Sequence, residues 1–307
     1  MRPQPHHDDT RVKRPIKSPV ADCPALQTDL QSIYDWAEEV NMEFNGDKFE
    51  LIRFWPGGNK PVGQYLSSDS SPIEEKAIIK DLGIKLSNDL CFTPHIENTI
   101  AGANRIVGML LRTFRRRTTP LMVTLWKTLV QPKLDYCSQL WSPSDQLTIG
   151  KLESLMRAFT AKVDSCTNMN YWERLQLLKM NSQERRRERY QIIFLWKVSQ
   201  GLVTGYNVNF THSPRRGRLA VVPPFNKHAP ANVRNARESS LAIKGAKMFN
   251  LIPAHIRNID AVDQNIFKMN LDLYLSSVPD QPTIQEQQRA AKTNSLLDQI
   301  PMLLDIQ

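Results

Sequence analysis

The chain has 307 residues, room for two modest domains, and its 41% hydrophobic and 23% charged content is that of a globular protein, which excludes wholesale disorder. The net charge of +9 is concentrated centrally: Ala101 to Arg218 holds 20 Lys and Arg against 7 Asp and Glu, so the field that attracts phosphate belongs to that segment. No apolar run approaches the ~20 residues of a membrane span, and the opening MRPQPHHDD lacks the apolar stretch of a signal peptide, so an intracellular protein, cytoplasmic or nuclear and not secreted, is expected.

Residues 1–23, rich in proline and charge, read as loop. From Pro24 the apolar residues Leu26, Leu30, Ile33, Tyr34, Ala37 and Val40 recur at the spacing of one helical face, with Pro24 suited to a first turn. Phe49, Leu51, Ile52 and Phe54, bounded by Pro56-Gly57-Gly58, predict a strand. Two more strands are expected over 62–66 and 80–86, making a small antiparallel sheet against the helix that carries Trp36.

After Asn88 the pattern turns helical. Ile96, Ile100, Ile106, Met109 and Leu110 predict a helix ending near Arg115-Arg116-Arg117, and Thr119-Pro120 starts a second. That second helix carries two adjoining stripes, Leu121, Leu125, Leu129 and Met122, Trp126, Val130, and is expected to lie deep. Further helices are expected over 144–164, 171–178 and 182–201, the last with Ser182 as its start signal and Gly201 as its stop. A compact apolar helix follows over 240–251, and the Gln-rich tail after Ser277 reads as polar and partly disordered.

Several collinear segments carry a family resemblance. Leu30-Gln31-Ser32-Ile33-Tyr34-Asp35-Trp36-Ala37 with Met42-Glu43-Phe44-Asn45 and Asp47-Lys48, then Lys80-Asp81-Leu82-Gly83-Ile84 leading to Phe92-Thr93-Pro94-His95-Ile96, form the first two. Leu129-Val130-Gln131-Pro132-Lys133-Leu134-Asp135-Tyr136-Cys137 with Leu140-Trp141-Ser142-Pro143, then Ser239, Gly245, Ala246, Phe249-Asn250, Pro253 and Ile256-Arg257-Asn258, continue the series. In this order they resemble motif D, the primer grip, the thumb and the end of the polymerase frame of jockey-like non-LTR retrotransposon reverse transcriptases. The resemblance covers roughly residues 8–275. It implies that Asp8-Asp9-Thr10 is a remnant of motif C, although His6 and His7 stand where the family has an aromatic and a small residue. It also implies that motif A and the fingers region are not in this chain.

Nucleotidyl transfer uses two magnesium ions held by carboxylates from separate elements, so one Asp pair builds at most part of such a site. Mg²⁺ belongs to the parent family, and none is expected to bind tightly to Asp8 and Asp9 here. His6-His7-Asp8-Asp9 also admits reading as a transition-metal cluster, but adjacent residues rarely point inward together. The four cysteines form no CxxC pair, which signals neither a zinc module nor a redox motif. Lys48 reads either as the motif D lysine near an incoming nucleotide or as a solvated lysine at a turn. Leu82 and Gly83 read either as the primer grip, where glycine admits a nucleic-acid backbone, or as a bulge or tight turn.

Three arginine clusters remain: Arg115, Arg116, Arg117; then Arg185, Arg186, Arg187, Arg189; then Arg215, Arg216, Arg218. Each reads as a solvated face or as part of a phosphate track that binds RNA or DNA without sequence preference. Phe114, Tyr190, Phe194 and Trp196 read as core residues or as platforms for stacked bases.

Together these readings predict an α+β chain: loop and motif C remnant over 1–23, partial palm over 24–90, helical thumb over 91–205, extension over 206–275 and polar tail over 276–307. The expected function is a fragment of an RNA-directed DNA polymerase that keeps nucleic-acid binding without a complete catalytic centre. The alternatives are a host-adapted, sequence-nonspecific RNA- or DNA-binding module, or a pseudogene product with no selected role.

Overall fold

A computed structural model of the chain describes residues 10–55, 63–206, 208–224, 228–260, 264–282 and 293–305. Helices dominate, and the described strands form two separate two-stranded antiparallel sheets. The chain divides into two units, Met1–Cys91 and Phe92–Gln307.

In the first unit, helix α1 spans Pro19–Glu39, starting five residues before the expected Pro24, which it carries inside. Asp22 explains the earlier start: its Oδ2 accepts from the backbone N–H of Lys17 and Ser18 at 2.8 Å each, tying the entering chain to the first turn. Tyr34 and Ala37 are its buried residues, whereas Val40, expected on the same face, is exposed, as is Trp36. Phe44 and Phe49 pack edge-on to Tyr34 at 5.8 and 5.7 Å between ring centres. The Tyr34 hydroxyl donates to the Leu66 carbonyl, and Gln27 pairs with the backbone of the same residue.

The sheet expected in this unit is smaller than the sequence suggested. Strands β1 (Ile78–Asp81) and β2 (Ile84–Ser87) form one hairpin, so the segment expected as a single strand folds back on itself at Leu82-Gly83. The other expected strands reduce to isolated bridges, Leu51 with Glu75 and Leu66 with Pro72, and Val62 lies outside the described residues. Leu82 and Gly83 both have positive φ, +44° and +85°, the signature of a two-residue turn whose twist matches that of the strands. A leucine there is strained, so Leu82→Gly is expected to stabilise this unit by about 1 kcal/mol, read from the urea midpoint. An unchanged or lowered midpoint would show that the exposed leucine contributes to stability.

The second unit begins with α2 (Thr93–Thr113), with Pro94 in its first turn. Helix α3 (Thr119–Leu125), a wide π turn (Trp126–Val130) and α4 (Gln131–Asp135) follow without a break. The wide turn sits beside Pro132, which lacks an N–H and whose ring would crowd the carbonyl four residues back. Met122, Trp126, Val130 and Leu134 are buried along one side, while Leu121 and Leu125 are half-buried and Leu129 is exposed. One stripe therefore faces the core, not the two expected; its neighbour lies at the rim.

Next come α5 (Ser138–Trp141), α6 (Gln146–Thr160), α7 (Tyr171–Leu178) and α8 (Gln183–Ser199). The last three start at side-chain caps: Asp145 for α6, Asn170 with Glu173 in a capping box for α7, and Ser182 for α8. Strands β3 (Phe210–Ser213) and β4 (Gly217–Ala220) form a second hairpin, absent from the sequence reading. Helices α9 (Ala231–Ser239), α10 (Ala246–Leu251), α11 (Ala254–Arg257), α12 (Gln264–Ser276) and α13 (Leu296–Asp305) complete the unit. Helix α13 lies in the stretch expected as polar tail, yet Leu296 and Ile300 are buried in the core with Ile192, Trp196, Phe249 and Phe267. Helix α8 packs against α5, α6 and α10. Among the described residues no helix is long and apolar enough to cross a membrane.

Candidate nucleic-acid interface

The second arginine cluster belongs to the interior. Arg185 is 1% exposed and donates to the carbonyls of Val278 (3.0 Å), Pro279 (2.8 Å) and Asn294 (3.1 Å). Arg187, also buried, donates to Gln183 O and lies over the Trp141 ring at 5.3 Å. Burial pushes its guanidinium down to about 10, opposed by the charges of Glu153, Asp135 and Glu184. Arg186 grips Asp135 with two nitrogens at 2.9 and 2.7 Å, and Arg189 pairs with Asp272. The expectation that these four contact phosphate is corrected: α8 turns two inward and neutralises two. A helix beginning Gln-Glu-Arg-Arg-Arg-Glu-Arg reads as solvated, but its partners come from residues fifty to a hundred positions away.

Of the seven acidic side chains in the basic segment, four are buried or paired, while Asp145, Asp164 and Glu173 are exposed. Glu153, Glu184 and Glu188 are buried, and Asp135 is engaged by Arg186. Glu153 accepts from Gln183 N at 3.0 Å and from the Tyr171 hydroxyl. Glu188 accepts from Ser295 Oγ and from Leu296 N at 2.9 Å, which caps α13. Burial raises the pKa of both carboxyls. Arg185 and Arg187 are buried too, so the exposed surface of the segment keeps about the positive balance of its composition.

The first cluster supplies most of that surface. Arg105 and Arg112, seven residues apart, share a face of α2 and are exposed, as are Arg115 and Arg116 beyond its end. Lys133 lies across α2 at Gly102, one turn before Arg105; a Cβ there would come within 2.3 Å of its side chain. Arg117 behaves differently: its Nη2 donates to Leu111 O at 2.9 Å, closing the last turn of α2, while Asp164 accepts its backbone N–H. Glu97, the acid on α2, pairs with Lys151 at 3.6 Å.

In the third cluster, Arg215 and Arg216 are exposed at the tip of the β3–β4 hairpin, and Arg218 is half-buried with its N–H bonded to Asn258 Oδ1. The signal that would have extended the basic region past Arg218 is in the sequence: no Asp or Glu occurs between Arg189 and Arg237. Of the aromatic candidates, Trp196 stacks on Phe267 at 4.3 Å in the core, Phe194 meets Tyr206 edge-on, and Tyr190 bonds Asp135. All three are core or rim residues.

In the first unit, Lys48 is exposed at the end of the single turn Gly46–Lys48, which Asn45 caps through Asp47 N. Leu82 and Gly83 form the β1–β2 turn, the tight-turn alternative of the sequence reading. Asp8 and Asp9, and with them His6 and His7, lie outside the described residues. Among the described residues no group of three or more His, Cys, Asp or Glu is placed to hold a metal ion.

The chain is similar to the RNA-directed DNA polymerase from mobile element jockey of Drosophila melanogaster, 27% identical over 151 residues. That match covers 48% of this chain and 16% of the polymerase. No protein-family model matches the chain, and no solved structure does.

Proposed function

We propose that this chain is part of a non-LTR retrotransposon reverse transcriptase and that its second unit holds RNA or DNA without sequence preference. The observation that carries the reading is the set of cations that face solvent, Arg105, Arg112, Arg115, Arg116, Lys133, Arg215 and Arg216, in a segment where four of the seven acids are buried or paired. Guanidinium groups bind phosphate through paired N–H donors and stay charged at any working pH, which suits a track along a nucleic-acid backbone. The distant similarity to the jockey polymerase supports the same assignment. Within this reading Asp8 and Asp9 are motif C carboxylates for Mg²⁺, and Lys48 is the motif D lysine beside an incoming nucleotide. Leu82 and Gly83 belong to the primer grip.

The test is a salt titration of the full chain against short labelled duplexes and RNAs of unrelated sequence. If about five phosphates are neutralised, log affinity falls against log salt with a slope near −4.5 on duplex DNA, and more shallowly on single strands. Changing Arg112, Arg115 and Arg116 together to glutamine should weaken every sequence alike and flatten the duplex slope by about three units. Binding that is insensitive to salt, or absent at low salt, would defeat the proposal. Loss on one sequence alone would favour a sequence-selective host module instead.

A further inference from the structure

The β3–β4 hairpin packs on the core through Phe210 and Ala220, and a separate set of polar side chains holds its backbone. Its tip, Pro214-Arg215-Arg216, returns through Gly217 at φ +67°, where a Cβ would lie 2.4–2.9 Å from the Asn258 side chain. Arg257 is 5% exposed, with its guanidinium aimed at the hairpin backbone: Nη2 donates to Arg216 O at 2.9 Å and Nη1 to Arg218 O, while Nε donates to Ile252 O at 2.6 Å. Asn258 Oδ1 accepts from Arg218 N at 2.9 Å. At the far end of β4, Asn250 completes a reciprocal pair with Ala220, accepting from its N at 2.8 Å and donating to its O at 2.9 Å.

A two-stranded hairpin alone is marginal in water, so this fixation, together with the core contacts of Phe210 and Ala220, makes its conformation definite. Desolvation lowers the pKa of Arg257, and three carbonyls take up its N–H groups. The fixed feature is a pair of arginines, Arg215 and Arg216, exposed on a turn within the acid-free stretch from Arg189 to Arg237. The strands pack on the core through Phe210 and Ala220, whereas the tip they fix carries two solvated cations. Fixing the tip reduces the conformational freedom that a phosphate contact would otherwise remove.

We propose that the β3–β4 hairpin is a preorganised phosphate-contacting arm, with Arg215 and Arg216 as its contacts and Arg257 and Asn258 as the positioning residues that set it. This rests on the nucleic-acid reading above and adds to it a specific element and the residues that aim it.

The experiment uses the full chain, a short labelled DNA duplex and a short labelled RNA, each titrated across salt. Arg215→Gln with Arg216→Gln should flatten the duplex slope by about two units and weaken unrelated sequences equally, with the melting temperature unchanged. Arg257→Lys keeps the buried cation but loses the planar fork, and should reproduce much of that loss while Arg215 and Arg216 remain. Combining the two changes should then add little, a non-additivity expected only if both act through one element. Should Arg257→Lys fail to fold, Asn258→Ala carries the same cycle. Wild-type slope and affinity retained in the Arg215, Arg216 double variant would overturn the arm. Strict additivity would overturn the positioning role. If the wild-type chain binds neither probe, the proposed function itself has failed and the arm with it; binding by the wild type separates the two failures.

Discussion

Arg185→Met is expected to destabilise the second unit by about 3–5 kcal/mol, against at most about 0.5 kcal/mol for Arg115→Gln or Arg116→Gln. The methionine fills much of the space but leaves the carbonyls of Val278, Pro279 and Asn294 without their donor in a site that is 1% exposed. Those carbonyls lie in the turn after α12 and just before α13, so the loss also loosens the C-terminal helix. The polar set around it is continuous: Asp280 accepts from Ser182 N and Oγ and from Asn294 Nδ2, and Glu188 caps α13. Urea unfolding at constant m-value measures the difference. Equal midpoints for Arg185→Met and Arg115→Gln would mean that the buried guanidinium contributes nothing, and the inward reading of α8 would be lost. Any loss of nucleic-acid binding by Arg185→Met would report unfolding, which is why the binding tests use Arg112, Arg115, Arg116, Arg215 and Arg216.

What the sequence made legible follows how far each signal reaches. Helices with their own start signals, Ser182 for α8 and Thr119-Pro120 for α3, were found at or near their observed bounds because caps act within a turn. Strands were legible only as apolar runs. Whether Lys80–Leu86 runs on or turns back depends on two positive φ values, and a leucine does not advertise one of them. The β3–β4 hairpin was missed because its strands are four residues each and depend on Asn250, Arg257 and Asn258, some thirty to forty residues later. The candidate site shows the same limit. A run of arginines looks alike whether its partners are phosphates or buried carbonyls, and only the distant residues Asp135, Asp272, Val278 and Asn294 separate the second cluster from the first. Several residues that carry the family resemblance prove to be such long-range partners: Asp135 for Arg186, Trp141 for His95 and Arg187, Asn250 and Arg257 for β4.

The buried carboxyls of α8 predict a stability that falls as pH rises. Glu184 is pushed from its ordinary 4.5 up to about 7, chiefly by desolvation and next by the charge of Glu188, with Lys244 opposing and Glu153 and Asp280 adding to the rise. In the unfolded chain this group ionises near 4.5, whereas in the folded chain it stays protonated until about 7. The folded state therefore binds the extra proton between those values, and its stability declines across that window and levels off above it. At about 1.36 kcal/mol per pH unit the decline amounts to roughly 3 kcal/mol. Glu153 and Glu188, raised by the same burial, act in the same direction. Urea midpoints between about pH 5 and pH 8 should fall with pH for the wild-type chain, and Glu184→Gln, which keeps the shape without the charge, should remove most of the slope. A midpoint that rises or stays level over this range would mean that Glu184 ionises in the fold as it does in water, with Lys244 compensating its burial in full.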